Sequence, residues 1–186
     1  HTINSNLKEW EYDGEVIYID ENADVIINDG TISGGWSCNG AGGIHICEKA
    51  RVVLNNVNIV GNNVDDDDGA GIAVYKGAIL TMNGGSFQNN VTDGVDTGAV
   101  QGAAAYVEGG TATFNNVLFK NNQSFITYAE GTAIYATKAT VTVSNCTFEE
   151  NGIANTDQYN RVTHTMKKVL RAILDENGYA DIRIVL

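Results

Sequence analysis

Four consecutive aspartates, Asp65, Asp66, Asp67 and Asp68, stand in the stretch NVDDDDGAG (63–71). Calcium prefers hard oxygen ligands, about six to eight of them, and clustered carboxylates on a glycine-flanked loop can supply several. These four residues are therefore candidate ligand-binding and calcium-binding groups, with a solvated acidic turn as the plainer alternative. The spacing is not that of an EF-hand, and no nine-residue glycine–aspartate calcium repeat recurs. Two further irregular stretches, VTDGVDTGAVQG (91–102) and QSFITYAEG (123–131), add Asp93, Asp96 and Tyr128 to the ligand-binding candidates.

Groups for covalent or general acid–base chemistry do not converge, and no catalytic residue is assigned. His45 lies between Ile44 and Ile46, so on a strand it faces outward, with no column of His, Asp or Arg beside it. Cys38, Cys47 and Cys146 are odd in number and scattered, which supports neither a zinc cluster nor a Cys–His pair. Cys38 and Cys47 are near enough in sequence to form a disulfide, the alternative being two small buried apolar residues. Polysaccharide-cleaving enzymes built of strands place acids, or acids holding calcium beside a basic residue, on one strand face. Here Asp20, Asp24 and Asp29 lie at the start of the chain, and Lys and Arg are scarce. Three N-x-S/T triplets, at Asn90, Asn122 and Asn145, are no more than this asparagine content produces by chance.

The whole chain narrows the partners. Its 186 residues carry a formal net charge of −12 and only 11 Lys and Arg, which repels nucleic acid and anionic membrane surfaces. Apolar runs such as VIYI (16–19) are far too short to span a bilayer. There are 21 glycines and no proline, as suits a backbone that turns often and is otherwise paired in sheets. The chain starts at His1 rather than Met, so the lack of a leader is uninformative.

What positions the candidate residues is a repeat. Ile32, Ile59, Phe87, Phe119 and Phe148 recur at intervals of 27, 28, 32 and 29 residues, the period of a solenoid. Four positions upstream stand Asn28, Asn55, Asn83, Asn115 and Ser144; three downstream stand Gly35, Asn62, Asn90, Asn122 and Asn151. Ile17, Ile44, Ile72, Ala104 and Ile134 open the units, followed two residues later by Ile19, Ile46, Val74, Tyr106 and Ala136. Apolar residues alternate with period two, as in AILTM (78–82), which argues for strands. Three short strands per unit, read from GGIHI, ARVVLN and VNIV, predict an all-β, single-stranded, right-handed parallel β-helix of about five coils, with the hand set by the general bias of parallel crossovers. The phenylalanines become an interior stack, and Asn62, Asn90, Asn122 and Asn151 a corner ladder.

The predicted organisation has three parts. Residues 1–14 form an N-terminal cap that lays Trp10 and Tyr12 over the open core. Residues 15–151 are the coils. Residues 152–186 contain a short C-terminal helix over 160–178, with Val162, Met166, Val169, Leu170, Ile173 and Leu174 at helical spacing, as an inserted corner or a cap. A final strand, DIRIVL (181–186), resembles the start of a sixth coil. The irregular stretches fall between the corner asparagine and the next glycine-led strand, so they project from one side, commonly the binding side of a solenoid.

The repeats FQNN, FKNN and FEEN, with GGIH, GAGI and GTAI, resemble the paired FxxN and GGA[ILV] motifs of the chlamydial polymorphic outer membrane proteins and related bacterial surface proteins. The resemblance spans about residues 17–151, with IVGN replacing one FxxN. It implies a right-handed, pectin lyase-like β-helix in a secreted or surface-displayed passenger. The expected function is an extracellular or cell-surface binding module, an adhesin fragment whose partner is a host or bacterial surface glycan or protein. The alternatives are a carbohydrate-active enzyme, lyase or hydrolase, with acids around Asp65–Asp68 and Asp93 or Asp96, and a structural spacer of a longer surface protein. No cofactor is expected beyond the calcium.

Overall fold

The computed structural model describes residues 1–5, 14–93, 100–125, 129–156, 162–165, 170–173 and 181–185, with side chains through residue 152. The chain winds as a parallel β-helix of three sheets. The first sheet stacks Ile17–Ile19, Ile44–Ile46, Ile72–Val74, Ala105–Glu108, Ile134–Thr137 and Leu170–Ile173 in that order. The second stacks Thr2–Asn4, Asp24–Ser33, Arg51–Val60, Ile79–Gln88, then Thr111–Asn115 with Leu118–Lys120, Thr140–Ser144 with Thr147–Glu149, and Asp181–Val185. The third runs through Trp36–Ser37, Asn63–Asp65, Val91–Asp93, Gln123–Ser124 and Gly152–Thr156, with Val162–Thr165 folded back antiparallel on the last.

Equivalent side chains therefore lie one strand spacing apart, about 4.8 Å. Ile59 pairs with Phe87, Phe87 with Phe119, and Phe119 with Phe148, as the periodicity predicts. The Phe87 and Phe119 rings stack at 5.1 Å and 10°, the Phe119 and Phe148 rings at 4.8 Å and 7°. Phe114 closes the set edge-on, 5.4 Å from Phe119. Burial of each such side chain contributes roughly 1.5–3 kcal/mol.

Each coil turns by residues with positive φ, again in columns. Asn22, Lys49, Gly77, Gly109 and Lys138 turn the chain between the first and second sheets; Asp29, Asn56, Gly84, Asn116 and Asn145 bend it within the second; Gly34, Gly61, Asn89, Asn121 and Glu150 turn it toward the third. Asparagine and glycine dominate because the left-handed region costs other residues roughly 1–2 kcal/mol.

At this last corner the asparagine ladder pairs side-chain amides with one another and with the backbone. The Asn90 side-chain amide donates to Asn122 Oδ1 at 2.9 Å and to the carbonyl of Ile59 at 2.9 Å. Its own Oδ1 accepts the backbone and side-chain N–H groups of Asn62, at 3.1 and 3.0 Å. Asn122 repeats the pattern with Asn151 and the carbonyl of Phe87. All four ladder residues are buried, so Asn90 and Asn122 are closed to glycosylation. A second ladder, Asn28–Asn55–Asn83–Asn115, runs along the solvent side.

Several expectations need correction. ARVVLN and VNIV are one bent strand in the second coil, Arg51–Val60, and the third sheet uses residues read as insertions, such as Asn63–Asp65. Ala105 and Val107, not Ala104 and Tyr106, align with Ile72 and Val74. The turn after Val107 has one residue fewer than the turn after Val74, which shifts the register. The helix expected over 160–178 is absent from its described residues: Val162–Thr165 and Leu170–Ile173 are strands. Leu170–Ile173 meets the free edge of Ile134–Thr137, and ladder pairing there outweighs helical spacing. Asp181–Val185 joins the second sheet rather than opening a coil. Cys38 and Cys47 are unbonded to each other, both being free thiols. At the N-terminus Thr2–Asn4 pairs with Thr31–Ser33, while Trp10 and Tyr12 lie outside the described residues.

Asn122→Ala strands three buried groups, the two N–H groups of Asn90 and the carbonyl of Phe87, so it should cost at least about 3 kcal/mol in urea unfolding. Asn83→Ala, on the exposed ladder, should cost under about 1 kcal/mol by the same measurement. Lys138→Gly, at an exposed residue with φ of 51°, should gain about 1 kcal/mol.

Candidate functional site

Along the first sheet, Ile44 and Ile46, Ile72 and Val74, Ala105 and Val107 point into the core. The intervening residues point out, and in register these are Tyr18, His45, Ala73, Tyr106 and Tyr135. Ala73 carries no ring, and Tyr75, two residues on, fills its place. The result is an unbroken row of five rings: Tyr18 to His45 at 4.9 Å, His45 to Tyr75 at 4.8 Å, Tyr75 to Tyr106 at 6.3 Å, and Tyr106 to Tyr135 at 5.6 Å. Tyr18 is exposed, His45 and Tyr75 are half-buried, and Tyr106 and Tyr135 are buried beside Ala41.

The acidic loop reaches this row from the third sheet. Asp67 Oδ2 accepts the Gly40 N–H at 2.5 Å, and Asp68 Oδ1 accepts the Gln101 N–H at 2.6 Å. The two carboxylates thereby tie the segments of three successive coils together. Gly40 lies against the imidazole: a Cβ there would come within 2.5 Å of His45 Nδ1. Asp65 is elsewhere, on the third sheet in register with Asp93, and Asp66 is exposed at the turn, donating its N–H to the Asp93 carbonyl. The four aspartates thus divide between a strand and the loop that follows it, and a cation at Asp67 and Asp68 would compete with backbone amides for their oxygens. Among the described residues no three His, Cys, Asp or Glu side chains gather to hold a metal. Asp96 and Tyr128 lie outside the described residues.

Burial sets the protonation of the site. It raises Asp68 from the ordinary carboxylate range to about 7, helped by Asp67 and Glu108 and opposed by the Gln101 N–H. Burial also lowers His45, although Glu15 and Asp67 push it upward. His45 Nδ1 is 3.8 Å from Glu15 Oε1, and a neutral imidazole makes no ion pair there at pH 7. Burial, followed by Asp67, Asp68 and Glu108, raises the Tyr75 phenol. A hydrogen bond to Cys47 is the main cause that pushes Tyr18 up to about 12. At neutral pH the row is therefore an uncharged aromatic surface rimmed by acids.

Where the first sheet turns toward the second, Glu48, Tyr75, Lys76, Glu108, Gly109 and Lys138 line a cavity of about 450 Å3. Acids and amines alternate around the tyrosine. Rings offer stacking faces, and the carboxylates and amines offer acceptors and donors, the mixture that polyhydroxylated ligands require. The residues missed in sequence were the outward tyrosines Tyr18, Tyr75, Tyr106 and Tyr135; His45 was placed outward, without the rings beside it. Their signal is a ring sandwiched between two inward apolar residues, as in VIYI, IHI and AIYA.

A family model described as a right-handed β-helix region matches residues 1–166. No curated protein and no solved structure matches the chain.

Asp68 holds its proton more tightly folded than unfolded, so its contribution to stability is full in acid and lost as pH rises through about 7. The melting temperature should fall between pH 5 and 7.5, and the fall should be smaller in Asp68→Asn, followed by circular dichroism.

Proposed function

The chain belongs to the right-handed β-helix family, and we propose that it is a binding module displayed outside the cell, an adhesin fragment that takes a glycan across the outer face of the first sheet. The observation that carries this reading is the row Tyr18–His45–Tyr75–Tyr106–Tyr135, whose exposed part adjoins the cavity at Tyr75. The exposed Tyr18 and the half-buried His45 and Tyr75 are held in line by a rigid ladder with the buried Tyr106 and Tyr135 behind them, and contact with such pre-ordered rings keeps the entropic cost of binding low. The acidic loop reaches the row through Asp67 and Asp68 and adds carboxylates to its rim. Resemblance of the FxxN and GGA[ILV] repeats to the polymorphic outer membrane proteins supports surface display.

A second reading, a carbohydrate-active enzyme, is favoured by Asp68. A carboxyl raised to about 7 can give or take a proton at neutral pH, the property of a general acid. Its site would be the same face.

A glycan array combined with a reducing-sugar and unsaturated-product assay separates the two. Binding without turnover is the expected result; turnover that Asp68→Asn abolishes would replace the adhesin by the enzyme. Tyr75→Ala should weaken glycan binding about tenfold with the fold retained. Unchanged binding in that variant would remove the first sheet as the binding face.

A further inference from the structure

The outer face of the third sheet holds a second groove, of about 270 Å3, on a different side of the solenoid from the aromatic row. We propose that it is a separate binding site for a neutral saccharide. Its walls are Trp36 in the first coil and Phe125 in the fourth, with Asn63 and Asn89 between them and Gly34 and Gly61 along the corner.

Four observations carry this. No lining residue is ionisable, in a chain with 23 acidic residues and a net charge of −12. An ionic ligand would find no counter-charge there, so the ligand is uncharged. The aromatic walls stand apart from other packing: Phe125 is 41% exposed and Trp36 half-buried. Trp36 is also fixed by its backbone, which exchanges hydrogen bonds with Gly14 at 3.0 and 3.3 Å and pairs with Asn63 on the other side. Asn63 Oδ1 has no hydrogen-bond partner among the described residues, so rotation of this amide frees an acceptor for a hydroxyl.

The fourth observation concerns the corner column Gly34, Gly61, Asn89, Asn121, Glu150, all at positive φ. Three of its members, Gly34, Gly61 and Asn89, line the groove; a Cβ at Gly34 would meet the Asn4 side chain, whereas the space beside Gly61 is open, with no atom within 4 Å of a Cβ built there. At position 61 an asparagine would satisfy the backbone equally well, as Asn89 and Asn121 show, and its side chain would occupy the open space at the groove's rim. From the first coil to the fourth the groove spans three strand spacings, roughly 14 Å, enough for a linear chain of about three sugar rings. Stacking on Trp36 and Phe125, with hydroxyls to the amides of Asn63 and Asn89, is the binding mode that follows.

The test uses a Trp10→Phe chain, in which Trp36 is the single tryptophan. Its fluorescence is titrated with cellotriose, mannotriose, xylotriose and maltotriose, and with trigalacturonate as the charged control. The expected result is a saturable change with at least one neutral trisaccharide, and binding of trigalacturonate at least about tenfold weaker. Gly61→Asn and Phe125→Ala should each weaken the neutral sugar about tenfold or more with an unchanged melting temperature, whereas Tyr75→Ala should leave it unaffected. No saturable change with any neutral trisaccharide, or preference for trigalacturonate, would overturn the proposal. So would binding that survives both Gly61→Asn and Phe125→Ala. Loss of this binding in Tyr75→Ala would assign it to the first sheet instead, overturning the separate site while leaving the surface reading in place.

Discussion

The buried amides of Asn62, Asn90, Asn122 and Asn151 are the constraint on which the coil geometry rests. A parallel solenoid must turn sharply at each corner, and a turn exposes backbone groups that strand pairing cannot reach. At the corner leading into the third sheet those groups are fully buried, where an unmet donor costs roughly 1–3 kcal/mol. One asparagine per coil meets the demand: its oxygen takes the N–H groups of the coil before, and its nitrogen reaches both the coil after and a carbonyl behind. The ladder fixes the spacing of coils at the corner, and with it the register of the strands on either side. The phenylalanine stack then packs against a frame already set.

Inside and outside of this frame carry different tasks. Inward positions repeat, since each side chain must match the one above and below it; Ile32, Ile59, Phe87 and Phe119 are an instance. Outward positions are free of that demand; Tyr106 and Tyr135 pack there with Ala41 and Ala73 as a second apolar cluster, and where a ring is exposed, as at Tyr18 and Phe125, packing does not account for it. Tyr18, His45, Tyr75, Tyr106 and Tyr135 make one outward group on the first sheet, and Trp36 and Phe125 another on the third. The acidic loop serves the frame as well as the surface, for Asp67 and Asp68 hold Gly40 and Gln101 in place.

What repeats was legible in the sequence; what occurs once was not. The phenylalanine and asparagine columns stood out because three and four successive coils repeat them, and the structure places them as the periodicity predicts. The third sheet was missed because its strands, such as Gln123–Ser124, are too short to show alternation and border irregular stretches. Tyr106 was placed inward because a turn shortened by one residue shifts the register, a difference invisible without the pairing of Ala105 with Ile72. The helix expected over 160–178 rested on apolar spacing alone, which takes no account of the open sheet edge beside Leu170–Ile173. At the candidate site the sequence singled out Asp65, Asp66, Asp67 and Asp68 as one group, whereas the structure puts Asp65 on a strand and has Gly40 and Gln101 held by Asp67 and Asp68. Their separation from Asp65 follows from the single turn residue Asp66, whose φ is 59°.

The amide ladder also has a direction. Every side-chain N–H that crosses between its asparagines points to the later coil, and every accepting oxygen faces the earlier one. The amide dipoles therefore align along the axis and polarise one another, as in a helix. The two ends of the column are chemically unlike. At one end Gly35 offers only a backbone N–H to Asn62; at the other the Asn151 amide has its N–H on the Phe119 carbonyl and can still extend the column. A duplicated coil inherits both halves of the rung and inserts without loss, whereas a reversed or partial copy breaks the chain of dipoles. Lengthening by whole coils in one orientation is the kind of change that this architecture passes on to its descendants intact.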